Sequence, residues 1–100
     1  MIITLKKTRD FKNIYKRGKY KISPLLVIYS FANNTNINRY GFSINKKVGN
    51  AVTRNKIRRC LKELIKSYEF EKGYDYVIVV KTKTGSISKR KLFWELRESL

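Results

Sequence analysis

Few side chains in this chain could do bond-breaking chemistry. There is no histidine among the 100 residues, and Cys60 is the sole cysteine. A Cys/His zinc site and an internal disulfide are therefore excluded. A general base would have to be a carboxylate, a lysine or a tyrosine. The seven acids are Asp10, Glu63, Glu69, Glu71, Asp75, Glu95 and Glu98, and none sits in a paired metal-ligand pattern. A protein that hydrolyses phosphodiesters by itself would need more than this.

The abundant chemistry is cationic. Lys and Arg number 24 against 7 Asp and Glu, for a net charge of +17. A small domain with that charge attracts polyanions. Nucleic acid is the foremost of these, because its binding is driven by release of condensed counterions. The charge is also clustered. From Lys46 to Lys66 there are eight basic residues, Lys46, Lys47, Arg54, Lys56, Arg58, Arg59, Lys62 and Lys66, opposed only by Glu63. A lysine-rich face is often merely solvated. The arginines carry more weight, since a guanidinium can grip phosphate through two parallel hydrogen bonds and stack on bases.

Those cations need an element to hold them. Ile57, Leu61, Leu64, Ile65 and Tyr68 recur at helical spacing, which predicts a long helix over 51–68 with one apolar side. At about 100° per residue, Asn55, Arg58, Arg59, Lys62 and Lys66 fall on the opposite side, with Arg54 at the border. Cys60 flanks the stripe and reads as a small buried hydrophobe. Ahead of this helix, Gly49 suits a tight turn and Asn50 an N-cap. Free N–H groups and the positive end of the dipole would favour an anion there.

The remaining elements surround it. Phe11, Ile14 and Tyr15 at i, i+3 and i+4 predict a short helix over 8–17, with Thr8 as its cap and Gly18 as a left-handed stop. Residues 25–32 read as a strand apolar on both faces, starting at Pro24. The Asn-rich run 33–36 is a turn. In the strand 39–45, Tyr40, Phe42 and Ile44 point to a core. Arg39, Gly41, Ser43 and Asn45 make an opposite face with room for something to lie on it. Gly73 breaks the chain before a strand over 74–81. After a loop at 82–87, Ser88 should cap a last helix, with Ile87 and Leu92 as a staple and Leu92, Phe93, Leu96 and Leu100 as its packing side. Helices packed on a small sheet, α/β in class, follow from this order. Met1 to Lys7 holds too few apolar residues for a signal-peptide core, and no spanning segment follows, so the chain reads as cytoplasmic and not membrane-bound. One domain fills 1–100.

The stretch Arg39-Tyr-Gly-Phe-Ser-Ile-Asn-Lys-Lys-Val-Gly-Asn-Ala-Val-Thr-Arg-Asn-Lys-Ile-Arg-Arg59 resembles the signature of the bacterial ribonuclease P protein subunit. Arg9-Asp10-Phe11, Tyr15, Gly18, Leu25 to Tyr29 and Asp75-Tyr76-Val77-Ile78 resemble further parts of that family in order. The resemblance implies a two-layer α/β sandwich: a mixed four-stranded sheet with three helices and a left-handed βαβ crossover. It implies an RNA-binding subunit that assists a catalytic RNA in removing the 5′ leader of precursor tRNA. The RNA subunit would perform the hydrolysis and use the Mg²⁺, so no catalytic residue and no bound cofactor are expected in the protein. The family's RNA-subunit surface falls on Arg54, Asn55, Lys56, Arg58, Arg59 and Lys62, where Lys56 stands in place of the commoner arginine. Its leader cleft falls on Phe11, Tyr15, Tyr29, Ser43, Asn45, Lys46, Lys47 and Lys81, where Tyr15 stands in place of a more typical Phe. From spacing alone, Phe11 and Tyr15 read as core, since helical aromatic pairs usually pack inward; it is the resemblance that implies a cleft wall. A ribosomal RNA binder of similar size is the alternative within the same chemistry.

Overall fold

A computed structural model describes residues 3–23, 26–67 and 70–81. Its elements are β1 (Ile3–Thr4), α1 (Thr8–Arg17), β2 (Lys19–Ile22), β3 (Leu26–Ala32), β4 (Arg39–Ile44), a 3-10 turn (Lys46–Val48), α2 (Ala51–Ser67) and β5 (Tyr74–Val80). Pro24, Leu25, Tyr68, Glu69 and the expected helix after Ser88 lie outside the described residues.

The strands form one mixed sheet in the order β1-β4-β5-β3-β2. β1, β4 and β5 run parallel, while β3 is antiparallel to β5 and β2 antiparallel to β3. Among the described residues, five strands stand where four were expected. β1 is two residues long, and all four residues of β2 are exposed. Neither therefore carries the alternation that marks a half-buried strand.

Alternation along the inner strands sorts side chains to two faces. Leu26, Ile28, Tyr40, Tyr76, Ile78 and Val80 meet Ile57, Leu61, Leu64 and Ile65 of α2 in the main core, and Cys60 packs against them. This is the helix-on-sheet layer that the apolar stripe predicts. Each fully buried aliphatic side chain there contributes about 1.5–3 kcal/mol. On the other face a smaller cluster gathers Leu5, Ile14 and Val77, with Phe11, Tyr29, Phe31 and Val79 packed against it. Helix α1 crosses this second face and covers only part of it.

Two expected helix signals fail. Thr8 is the first helical residue, Lys7 precedes it in extended conformation, and no side chain caps the end. Gly18 is not left-handed: its φ is −75° and ψ 158°. A glycine is needed there for space, since a Cβ would lie 2.6 Å from the Ile14 carbonyl oxygen and 2.9 Å from that of Ser30. The chain thus turns from α1 straight into β2 against the backbone of β3. Gly49 is extended as well, and a Cβ there would press on Thr53 at 2.9 Å. Asn50 does cap α2, its Oδ1 accepting from the Thr53 N–H at 2.9 Å. Gly73, at φ 86°, is left-handed beside the Thr35 carbonyl, as a chain-breaking position requires.

Candidate nucleic-acid interface

The first surface is the outer side of α2. With Ile57, Leu61, Leu64 and Ile65 turned into the core, Asn55, Lys56, Arg59 and Lys66 are exposed, and Arg54, Arg58 and Lys62 are half-buried. Asn55 does not stand free. Its Oδ1 accepts a hydrogen bond from Arg58 Nη1 at 2.8 Å, which fixes one edge of that guanidinium and leaves the other edge to a ligand. Arg54 Nε is shielded from solvent and makes no hydrogen bond. A buried donor without an acceptor costs about 1–3 kcal/mol.

The second surface is the part of the sheet that α1 leaves open. Register places its residues in rows across the strands. Tyr20, Tyr29, Val77 and Gly41 form one row, and Ile22, Val27, Val79 and Ser43 the next. Rows on one face are about 7 Å apart. Phe11 lies over Gly41, where a Cβ would come within 2.7 Å of its ring. Ile14, 1% exposed, anchors the helix in the cluster around Val77. The room that the small face of β4 offers is thus filled at Gly41 by Phe11 itself, and it remains open at Ser43.

Aromatic rings line the boundary between covered and open sheet. Phe11 and Tyr15 have centroids 6.3 Å apart, and Tyr15 meets Tyr29 edge-on at 4.9 Å. Tyr20 then tilts against Tyr29 at 5.6 Å. Phe11 is therefore half core and half wall, whereas Tyr15 is 39% exposed. Tyr20 is a further ring of this line, and the periodicity of the sequence does not mark it. Its one signal in the sequence is its place between Lys19 and Lys21 on a short exposed segment.

Cations close the far end. Asn45, Lys46, Lys47 and Lys81 follow the C-terminal ends of the parallel neighbours β4 and β5. Crevices beyond such strand ends are common ligand sites. Asn45 is already engaged, its Oδ1 accepting from the Lys47 N–H at 2.9 Å and capping the 3-10 turn. It shapes the backbone that presents Lys46 and Lys47.

At the opposite end of the sheet, Arg39 and Asp75 face each other in register on β4 and β5. Arg39 donates from Nε at 2.9 Å and from Nη2 at 2.6 Å to the Asp75 carboxylate. Asn33 Nδ2 adds a third donor at 2.9 Å. The hydrogen bonds that Arg39 donates to Asp75 raise its pKa above the already high ordinary value, against the opposing effect of burial. Asp75 is 4% exposed and its carboxylate is occupied by these donors. It braces the sheet.

Comparison with known proteins bears on the family and the fold. The family model described as Ribonuclease P matches residues 3–100. The ribonuclease P protein component of Natranaerobius thermophilus is 35% identical over 92 residues, covering 90% of this chain and 80% of that protein. That of Clostridium kluyveri is 43% identical over 84 residues, covering 80% of this chain and 75% of that protein. The solved structure of the Staphylococcus aureus RNase P protein superposes with a TM-score of 0.90 at 29% identity, covering 99% of this chain and 93% of that one.

Proposed function

Because the chain belongs to the ribonuclease P protein family, we propose that the ridge on α2 grips the enzyme's RNA subunit and that the aromatic cleft holds the 5′ leader of precursor tRNA. Membership makes the chain the RNA-binding protein component of the endoribonuclease that matures tRNA 5′ ends. The assignment of partners to surfaces is the further step, and one observation carries it: the two surfaces differ in chemistry and lie on opposite faces of one sheet.

The ridge of Arg54, Asn55, Lys56, Arg58, Arg59 and Lys62 suits a folded RNA, whose outside is phosphate. Its guanidiniums make charge-assisted, two-pronged contacts with no need of exposed bases. The cleft suits a single strand. Phe11, Tyr15 and Tyr29 offer rings to unpaired bases. Ser43 lies on the open floor, and Asn45, Lys46, Lys47 and Lys81 bring donors and charge to its end. In this role the protein orders substrate and RNA while the RNA subunit supplies the Mg²⁺-dependent hydrolysis.

Two exposed residues test the division. Arg59→Ala should weaken assembly with the RNA subunit by about 1–3 kcal/mol. Tyr15→Ala should weaken binding of the assembled enzyme to leader-bearing precursor by about 1–3 kcal/mol and leave leaderless tRNA almost untouched. Equal losses for both tRNAs in the Tyr15 variant would remove the leader from the cleft. Cleavage of precursor tRNA by the protein alone with Mg²⁺ would overturn the non-catalytic role.

A further inference from the structure

Resting on the leader-cleft reading above, we propose that the single-strand track continues past Tyr29 onto the edge strand β2, where Tyr20 stacks the base at its far end. The geometry begins with Tyr29. Tyr15 meets it edge-on at 4.9 Å and Tyr20 leans on it at 5.6 Å and 38°. Tyr29 is thus held between two other rings and is half-buried. Of the three tyrosines in this line, Tyr20 has the largest share of open surface, 59% exposed against 39% for Tyr15.

Register makes Tyr20 continuous with the cleft floor. It pairs across strands with Tyr29, and Ile22, two residues on, pairs with Val27 of the open row. Ile22 is 65% exposed. Tyr20 and Ile22 lie on the face that carries Val79 and Ser43, so the trough runs from Ser43 on β4 to Ile22 on β2 with an apolar floor. Three strand spacings make that path about 14 Å long. It crosses the strands, with Lys46 and Lys47 beyond its β4 end.

The lysines of β2 belong to the same picture. Lys19 and Lys21 pair with Ser30 and Ile28 and therefore occupy the back face of the strand. Lysines on an edge strand commonly guard it against pairing with other sheets. That role accounts for Lys19 and Lys21 but not for a tyrosine and an isoleucine exposed side by side with them. An RNA strand leaving the cleft accounts for all four. Its last base lies on Tyr20 and Ile22, and its phosphates pass the edge within reach of the lysines.

The test uses the assembled enzyme and precursor tRNAs whose leaders lengthen one nucleotide at a time, with leaderless tRNA as reference. Wild type and Tyr20→Ala should bind short-leader substrates alike and separate once the leader reaches β2. At full length the variant should bind roughly five- to a hundredfold more weakly. Tyr20→Phe, which keeps the ring, should follow wild type. If Tyr20→Ala overlays wild type at every length while Tyr15→Ala is deficient, the extension is wrong and the cleft stands. If wild-type affinity does not change with leader length, the cleft reading fails and takes the extension with it. A deficit already present with leaderless tRNA would assign Tyr20 to folding or assembly and overturn the proposal.

Discussion

Gly41 and Asp75 show how single residues define the second surface from below. A methyl group at position 41 would meet the Phe11 ring at 2.7 Å, so Gly41→Ala should lift that ring and narrow the cleft. The expected outcome is a loss of leader-dependent affinity with RNA-subunit assembly unchanged, read by titration with leader-bearing and leaderless tRNA. Arg39 has a different task. Its removal leaves the buried Asp75 carboxylate with Asn33 as its remaining side-chain donor. Arg39→Ala should therefore destabilise the fold by about 1–3 kcal/mol, measured by urea denaturation. Tyr40 gives a pH signature. Burial raises its pKa above 10.0, and a hydrogen bond from Asn38 draws it partly back. The unfolded chain then releases this proton first. The contribution is intact below about pH 10 and is lost as pH rises through the folded value. Tyr40→Phe should lose less stability than wild type between neutral and strongly alkaline solution, seen in urea midpoints at each pH.

At the scale of elements, what the sequence revealed depended on how much of each element is covered. β3 and β5 were legible within a residue because their side chains alternate between two clusters. α2 was legible because its stripe is long, and its ridge followed from the same periodicity. β2 was illegible because every residue in it is exposed and no face imposes a pattern. Tyr20, the residue that extends the aromatic line, was missed for that reason. The cap readings at Thr8 and Gly18 failed because they treated α1 as a free helix. Its end is decided by the backbone of β3, which comes too close for any side chain. Gly18→Ala should then destabilise, in contrast to the roughly 0.4–1 kcal/mol that replacing a glycine by alanine gains at an unstrained site. Thermal unfolding of the isolated protein would show it, and an unchanged melting temperature would mean that the α1–β2 corner has room to move.

For the whole molecule the dominant quantity is charge. A domain at +17 that meets RNA mainly through phosphate should bind with a steep salt dependence. Six to ten such contacts lose roughly 10³–10⁵ in affinity between about 50 and 200 mM salt. A nearly flat slope in filter-binding or fluorescence titrations would place the binding energy elsewhere.

The two faces of the sheet also have a mechanical meaning. Val77 and Ile78 are neighbours in sequence, both 0% exposed, yet one lies under α1 and the other under α2. Between them they set how far the cationic ridge stands from the aromatic trough. On the proposed assignment of partners, the protein would act as a spacer of fixed gauge between a large RNA and the loose end of its substrate. Two fully buried side chains, facing neither surface, would then contribute to that gauge.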